Sequence, residues 1–232
     1  MRFFTALVDQ TRNERESLTS VPVIAACLAG QVTLPSYLAF LTQAWHHVRH
    51  TVPLMQACRA ALPSRLAWVV PDLDEYIAEE VGHDEWILND LAACGIPPDQ
   101  SRATSPAFDT EVMVAYAYDT IARRNPMGFF GMVHVLEGTS VALALKAADR
   151  IEEALGLPPV AFSYLRSHGT LDREHTAHFE SLMNRVTDPA DRVAVVHAAR
   201  MFYRLYGNIF RSLPMPVLAA RTGHANTELS AW

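Results

Sequence analysis

The chain has 232 residues, half of them hydrophobic, with 19 basic against 25 acidic residues and a formal charge of −6. That is enough apolar material for one large domain with its own core, and an acidic balance without basic runs argues against nucleic acid as a partner. Cys27, Cys58 and Cys94 are odd in number and lack CxxC spacing, so they read as free thiols in a reducing compartment.

Residues 3–30 read as one or two short helices, broken around residues 19–22. Residues 34–61 follow as one helix opening at Leu34-Pro35; it carries Trp45, His46, His47, Arg49 and His50 before Pro53, which kinks or ends it. A third long helix over 71–94 is stopped by Gly95 and Pro97-Pro98. After a polar loop come helices over about 106–123 and 127–155, punctuated by Asn125-Pro126 and then by Gly156 with Pro158-Pro159. A helix over about 159–186 precedes Asp188-Pro189, which starts the last one, running to about Ser212.

There is no alternating strand pattern, phosphate-binding glycine loop or internal repeat. The expectation is an all-α, single-domain bundle of about seven helices over residues 1–213, with 214–232 as a tail. MRFFTALVDQ meets Asp9 too early for a signal peptide, and no apolar run approaches the roughly 20 residues of a membrane span. The sequence is thus expected to be soluble and cytoplasmic, without a membrane partner.

Three segments carry ionisable groups on apolar helical stripes. In AFSYLRSHGTLDREHTAHFESL, His168, Asp172 and His175 recur at spacings of four and three, on the seam that includes Ala161, Leu165, Phe179 and Leu182. Burying such groups costs several kcal/mol unless they are paired or bind metal. A divalent metal answers this; a buried His–Asp hydrogen-bond network is the alternative. Glu80 and His83 form an ExxH pair near the stripe of Leu73, Ile77, Ile87 and Leu91, with Glu79 rotated toward the polar face. Glu137 sits among Phe130, Val133, Val141 and Ala144, where a lone carboxylate would protonate rather than stay charged. His134, one turn earlier, is a ligand, a partner of a ligand or a satisfied core histidine.

Together Glu80, His83, Glu137, His168, Asp172 and His175 supply three carboxylates and three imidazoles. Such donors suit iron or manganese, and without inward cysteines they do not suit a structural zinc site. Six groups exceed the three that one iron with open positions takes, whereas two metals would use them all. His178 falls off the stripe. Of the His46–His50 cluster, His50 or His46 is expected to face the cavity, and Arg49 is a candidate partner for a substrate carboxylate. Candidate pocket walls are Met113, Tyr116, Phe130, Met132, Phe162 and Tyr206.

The ordered motifs FLTQAWHHVRHTVPLM, EEVGHDEWILNDL, GFFGMVHVLEGTS and YLRSHGTLDREH resemble the haem-oxygenase-like diiron oxidases, which share a seven-helix fold with TenA-type thiaminases and the pyrroloquinoline-quinone-forming oxidase. The nearest member by motif is the 1-alkene-forming fatty-acid decarboxylase. The resemblance implies that the six residues above bind two iron ions cycling between Fe2+ and Fe3+. It further implies O2 as co-substrate, activated through a peroxo-diferric species to oxidise a small organic molecule derived from a fatty acid or an amino acid. It also implies a homodimer, with electrons from the substrate or from a reductase. Thiaminases of the TenA type place an aspartate just after a glutamine in the second long helix and a nucleophilic cysteine in the fifth. Here Ala44 follows Gln43, and residues 127–140 contain no cysteine. A TenA-like pyrimidine hydrolase and a cofactor-free oxidase remain the alternatives; a haem carrier is disfavoured because no histidine precedes His46.

Overall fold

The computed structural model describes residues 2–215, without the side chains of 170–174. Twelve α-helical segments and three 3-10 turns make up its regular structure, with no strand among the described residues. They are α1 (Phe3–Gln10), α2 (Arg12–Thr19), α3 (Pro22–Leu28), α4 (Leu34–Val48), α5 (Thr51–Ala61) and α6 (Val70–Glu80). Then follow α7 (His83–Ala93), α8 (Pro98–Arg102), α9 (Phe108–Arg123), α10 (Phe129–Leu155), α11 (Ser163–Arg185) and α12 (Pro189–Ser212).

The all-α expectation holds; the count of about seven is exceeded, because two of the expected long helices are subdivided, residues 3–30 hold three short helices and α8 forms in the expected polar loop. The helix expected over 34–61 breaks at Arg49–His50, and Pro53 lies in the first turn of α5, where its missing N–H costs nothing. The helix expected over 71–94 breaks at Val81, which is extended, and Gly82, whose φ of 90° is left-handed and suits glycine. Of the expected tail, residues 216–232 lie outside the described residues.

Local chemistry sets the remaining boundaries. The Thr33 hydroxyl accepts from the Ser36 N–H and caps α4, with Pro35 in the first turn. Asp188 does the same for α12 by accepting from the Ala190 N–H, with Pro189 at its first position. Gly156, at φ 62°, stops α10.

Helix α10 is the central rod, packed against α11 on one side and α12 on the other. Glycines permit both approaches. A Cβ on Gly131 would lie 2.5 Å from the Ala199 N and 2.7 Å from the Val195 O of α12. A Cβ on Gly169 of α11 would lie 2.7 Å from Leu145 Cγ of α10. By length and composition residues 126–155 could cross a bilayer, contrary to the expectation that no such run exists; 56% of the most apolar window is buried in the bundle, as befits a core helix. The apolar interior forms two clusters, one built largely on α1, α3, α5, α9, α10 and α12, the other on α4, α7, α10 and α11. A cavity of about 180 Å3 is lined by residues of both.

Candidate metal centre and cavity

The break between α6 and α7 shapes the site. Glu80 is the last residue of α6 and His83 the first of α7, so the ExxH pair straddles a turn instead of riding one continuous helix. Glu80 Oε2 and His83 Nδ1 are 3.0 Å apart, both side chains buried. The His83 ring stacks on Trp86 with centroids 3.9 Å apart, which fixes its plane. From α11, the His168 ring meets His83 edge-on at 4.9 Å and is flanked by Trp86 and Tyr164. One donor atom each from Glu80, His83 and His168 falls within 4.8 Å of the others. Two imidazoles and one carboxylate gathered in this way fit a divalent first-row cation, and this is the donor set of non-haem iron(II) sites with open positions.

Of the other three expected ligands, the side chains of Glu137 and His175 are described and that of Asp172 is not. Glu137, on α10, is half-buried and lines the cavity together with Glu80 and His168. The Asp172 side chain lies outside the described residues. His175 is buried, with Nε2 3.1 Å from Glu79 Oε2. Glu79 is indeed the exposed member of the Glu79–Glu80 pair, as the stripe indicates, yet it still reaches an imidazole of the motif.

The histidine cluster at the end of α4 resolves into three environments. His46 Nε2 bonds the Thr104 hydroxyl at 2.8 Å, and burial pushes its imidazole pKa down to about 4. His50 Nδ1 lies 3.2 Å from the Tyr118 hydroxyl. Neither lines the cavity; His47 does, against the expectation of His50 or His46. It is 2% exposed, its ring meets Tyr206 edge-on at 5.8 Å, and burial first, then neighbouring His168, holds it down at about 3. The reason is rotational: α4 buries His46 and His47 on adjacent sides of one turn, and the chain breaks just before His50 can return to the same face. Arg49 is exposed with its guanidinium 4.7 Å over the Trp45 ring, away from the cavity. His134 belongs to the core: its Nε2 lies 3.3 Å from the Thr11 hydroxyl, its ring stacks on Phe179, and burial pushes its pKa down to about 4. Of the six expected pocket walls, Met132 and Tyr206 line the cavity, while Met113, Phe130 and Phe162 are core and Tyr116 packs on Phe202.

One residue that positions the site gave no signal as such. Asp90 of α7 is 0% exposed and accepts three hydrogen bonds at the start of α11, from Ser163 N at 2.8 Å, Ser163 Oγ at 2.5 Å and Tyr164 N at 3.0 Å. It caps a helix remote in sequence, so the usual signature of a capping residue just before a helix is absent. All three cysteines are free. Cys27 lines the cavity, and burial pushes its thiol up to about 11.

With this geometry in view, the comparisons with known proteins give the family. The sequence model of iron-containing redox enzymes matches residues 38–207. The chain belongs to that family. Among solved structures, a haem-oxygenase-like domain of unknown function from Shewanella denitrificans is 21% identical, with a TM-score of 0.79 over 90% of each chain. A TenA homologue from P. horikoshii is 8% identical, with a TM-score of 0.75 over 90% of this chain and 97% of its own. The haem oxygenase-1 of Synechocystis in complex with haem is 14% identical, with a TM-score of 0.71 over 90% of this chain and 91% of its own. These likenesses establish the haem-oxygenase-like, TenA-like fold. No curated protein matches the chain.

Proposed function

We propose that this iron-containing redox enzyme is a non-haem diiron oxidase that uses O2 to oxidise a small organic substrate. The observation that carries the reading is the convergence of Glu80, His83 and His168 from three helices, with Glu80 and His168 on the wall of a largely apolar cavity. These residues would hold one iron; Glu137, Asp172 and His175 are the candidates for a second, His175 then giving up its bond to Glu79. Bound iron would supply the activation of O2 and the redox equivalents for substrate oxidation.

The chain's own contributions follow from its structure. Trp86 and Tyr164 hold the His83 and His168 rings in place. The largely apolar wall would favour displacement of water from the space beside them when substrate binds, which would strengthen the fields acting there. The competing reading is a pyrimidine hydrolase of the TenA type. Its mechanism calls for a thiolate, and the cavity's Cys27 is held protonated at neutral pH by burial, which favours the oxidase.

The test is anaerobic loading with iron(II), measurement of iron per chain, and mixing with O2 while visible absorbance and O2 consumption are followed. Two irons per chain and a transient visible band are expected, with both lost in His168→Ala at unchanged far-UV helicity. Retained O2 consumption in His168→Ala would remove this residue from the site. Failure to take up iron, together with pyrimidine hydrolysis, would replace the reading with the hydrolase.

A further inference from the structure

Trp86 of α7 has a placement that packing alone does not require. Its indole lies face to face with the imidazole of His83, with centroids 3.9 Å and planes 25° apart, and edge-on to His168 at 5.7 Å. It therefore stands against the rings of two candidate metal donors at once. It does not line the cavity and is half-buried, so part of it reaches solvent while one face lies on the donors. Tyr164 is the contrasting neighbour. It meets His168 edge-on at 4.9 Å, but it is 9% exposed and lies on the cavity wall. Oxidation of a tyrosine also calls for a base to take the phenolic proton, whereas an indole can give up its electron first and its proton afterwards. Charge favours the indole too. Helices α6 and α7 carry carboxylates, Asp84 and Glu85 among them, and neither contains a lysine or an arginine, so a cation forming on Trp86 is stabilised.

We propose that Trp86 is an electron relay that carries oxidising equivalents out of the metal centre, through the stacked His83 ring, when O2 reacts with no substrate in place. This rests on the oxidase reading above. One electron leaves the indole and passes through His83 to the oxidised iron, whose oxidation state falls by one. The indole radical cation left behind releases its N–H proton to water. A soluble donor of the ascorbate or thiol class then returns one electron and one proton to the indole and is itself oxidised by one electron. Trp86 ends unchanged. The hole has left on the side away from the cavity, sparing Tyr164 and the donor histidines.

The test uses the full chain, loaded anaerobically with iron(II) and mixed without substrate with O2 or, in parallel, with hydrogen peroxide, each with and without ascorbate. Freeze-quench paramagnetic resonance on protein carrying ring-deuterated tryptophan identifies a tryptophan radical, and peptide mass spectrometry maps oxygen-added side chains. A transient tryptophan radical is expected, suppressed by ascorbate, with Trp86 and not Trp45 or Trp68 as the main oxidised tryptophan. Trp86→Phe keeps an aromatic face for His83 but no readily oxidised ring. It should lose the radical per bound iron and shift oxidation onto Tyr164, His83 or His168. A role confined to holding His83 would give no radical in the parent. Trp86 oxidised no more than Trp45 and Trp68, or a radical unchanged in Trp86→Phe, would overturn the proposal, and the parent's peptide map decides this even if the variant folds poorly. Iron content and O2 consumption on the same samples keep the two readings apart. Iron uptake without O2 consumption, but with a Trp86 radical under peroxide, refutes the oxidase and leaves the relay standing. O2 consumption without that radical refutes the relay alone, and no iron uptake overturns both.

Discussion

Replacing Gly131 by alanine tests the geometry on which the site depends. Gly131 lies where α10 crosses α12, and an added Cβ would stand 2.5 Å from Ala199 N, 2.7 Å from Val195 O and 2.9 Å from Ala198 Cβ. Two of those three atoms are backbone, so no rotamer change relieves the clash and the helices must separate. Overpacking of this kind costs about 1–3 kcal/mol, against a gain of about 1 kcal/mol from alanine's better helix propensity. The steric term wins, leaving a net loss of up to about 2 kcal/mol, or a Tm lowered by up to about 4–8 °C for a domain of this size. Gly138, on the same helix, is the control: nothing lies within 4 Å of its added Cβ, so Gly138→Ala should raise stability by about 0.5–1 kcal/mol. Thermal unfolding of both variants by circular dichroism gives the answer. A Gly131→Ala protein as stable as the Gly138→Ala one would mean that the close approach of α10 and α12 is not the constraint described.

Asp90→Ala should lower stability by about 1–3 kcal/mol in urea unfolding, because the amides of Ser163 and Tyr164 lose their buried acceptor. It should also weaken iron binding, since His168 stands little more than one turn further along α11; unchanged iron affinity would confine Asp90 to the fold. Acid should destabilise the protein through His134. Burial holds its pKa at about 4 against an ordinary 6.5, so the unfolded chain takes up the proton first. Stability is therefore greatest above pH 6.5 and falls as the pH drops toward 4, by about 1–2 kcal/mol from this residue at pH 5. Urea midpoints at pH 7 and pH 5 should differ less in His134→Gln than in the parent, and an equal difference would show that His134 does not titrate as described.

Much of the helical order was readable because proline, glycine and periodic apolar residues act locally. Pro189 after Asp188 and Gly156 after Leu155 mark α12 and α10 within a residue or two. The split at Val81–Gly82 was not readable, because an isolated glycine in a helical pattern is as compatible with continuation as with a break. At the site, periodicity alone ranked Glu80 above Glu79 and drew attention to His168. It could not choose among His46, His47 and His50, since the answer depends on where α4 ends and on what packs beside it. Asp90 was invisible for a related reason: its three partners lie more than seventy positions downstream, and no spacing rule spans that distance.

Helix α11 is fastened at both ends to the pair of helices that carry Glu80 and His83. Asp90 of α7 grips its start, and near its end the Arg185 guanidinium bridges to the Asp72 carboxylate of α6 at 3.1 Å and to the Trp68 carbonyl. His168 thus sits on a beam between two piers, and the piers belong to the same frame as its fellow donors. The frame that holds His168 is thus the frame that holds Glu80 and His83. A cation bound at these donors would find them already gathered on fastened helices, so little of its binding energy would go into ordering the chain.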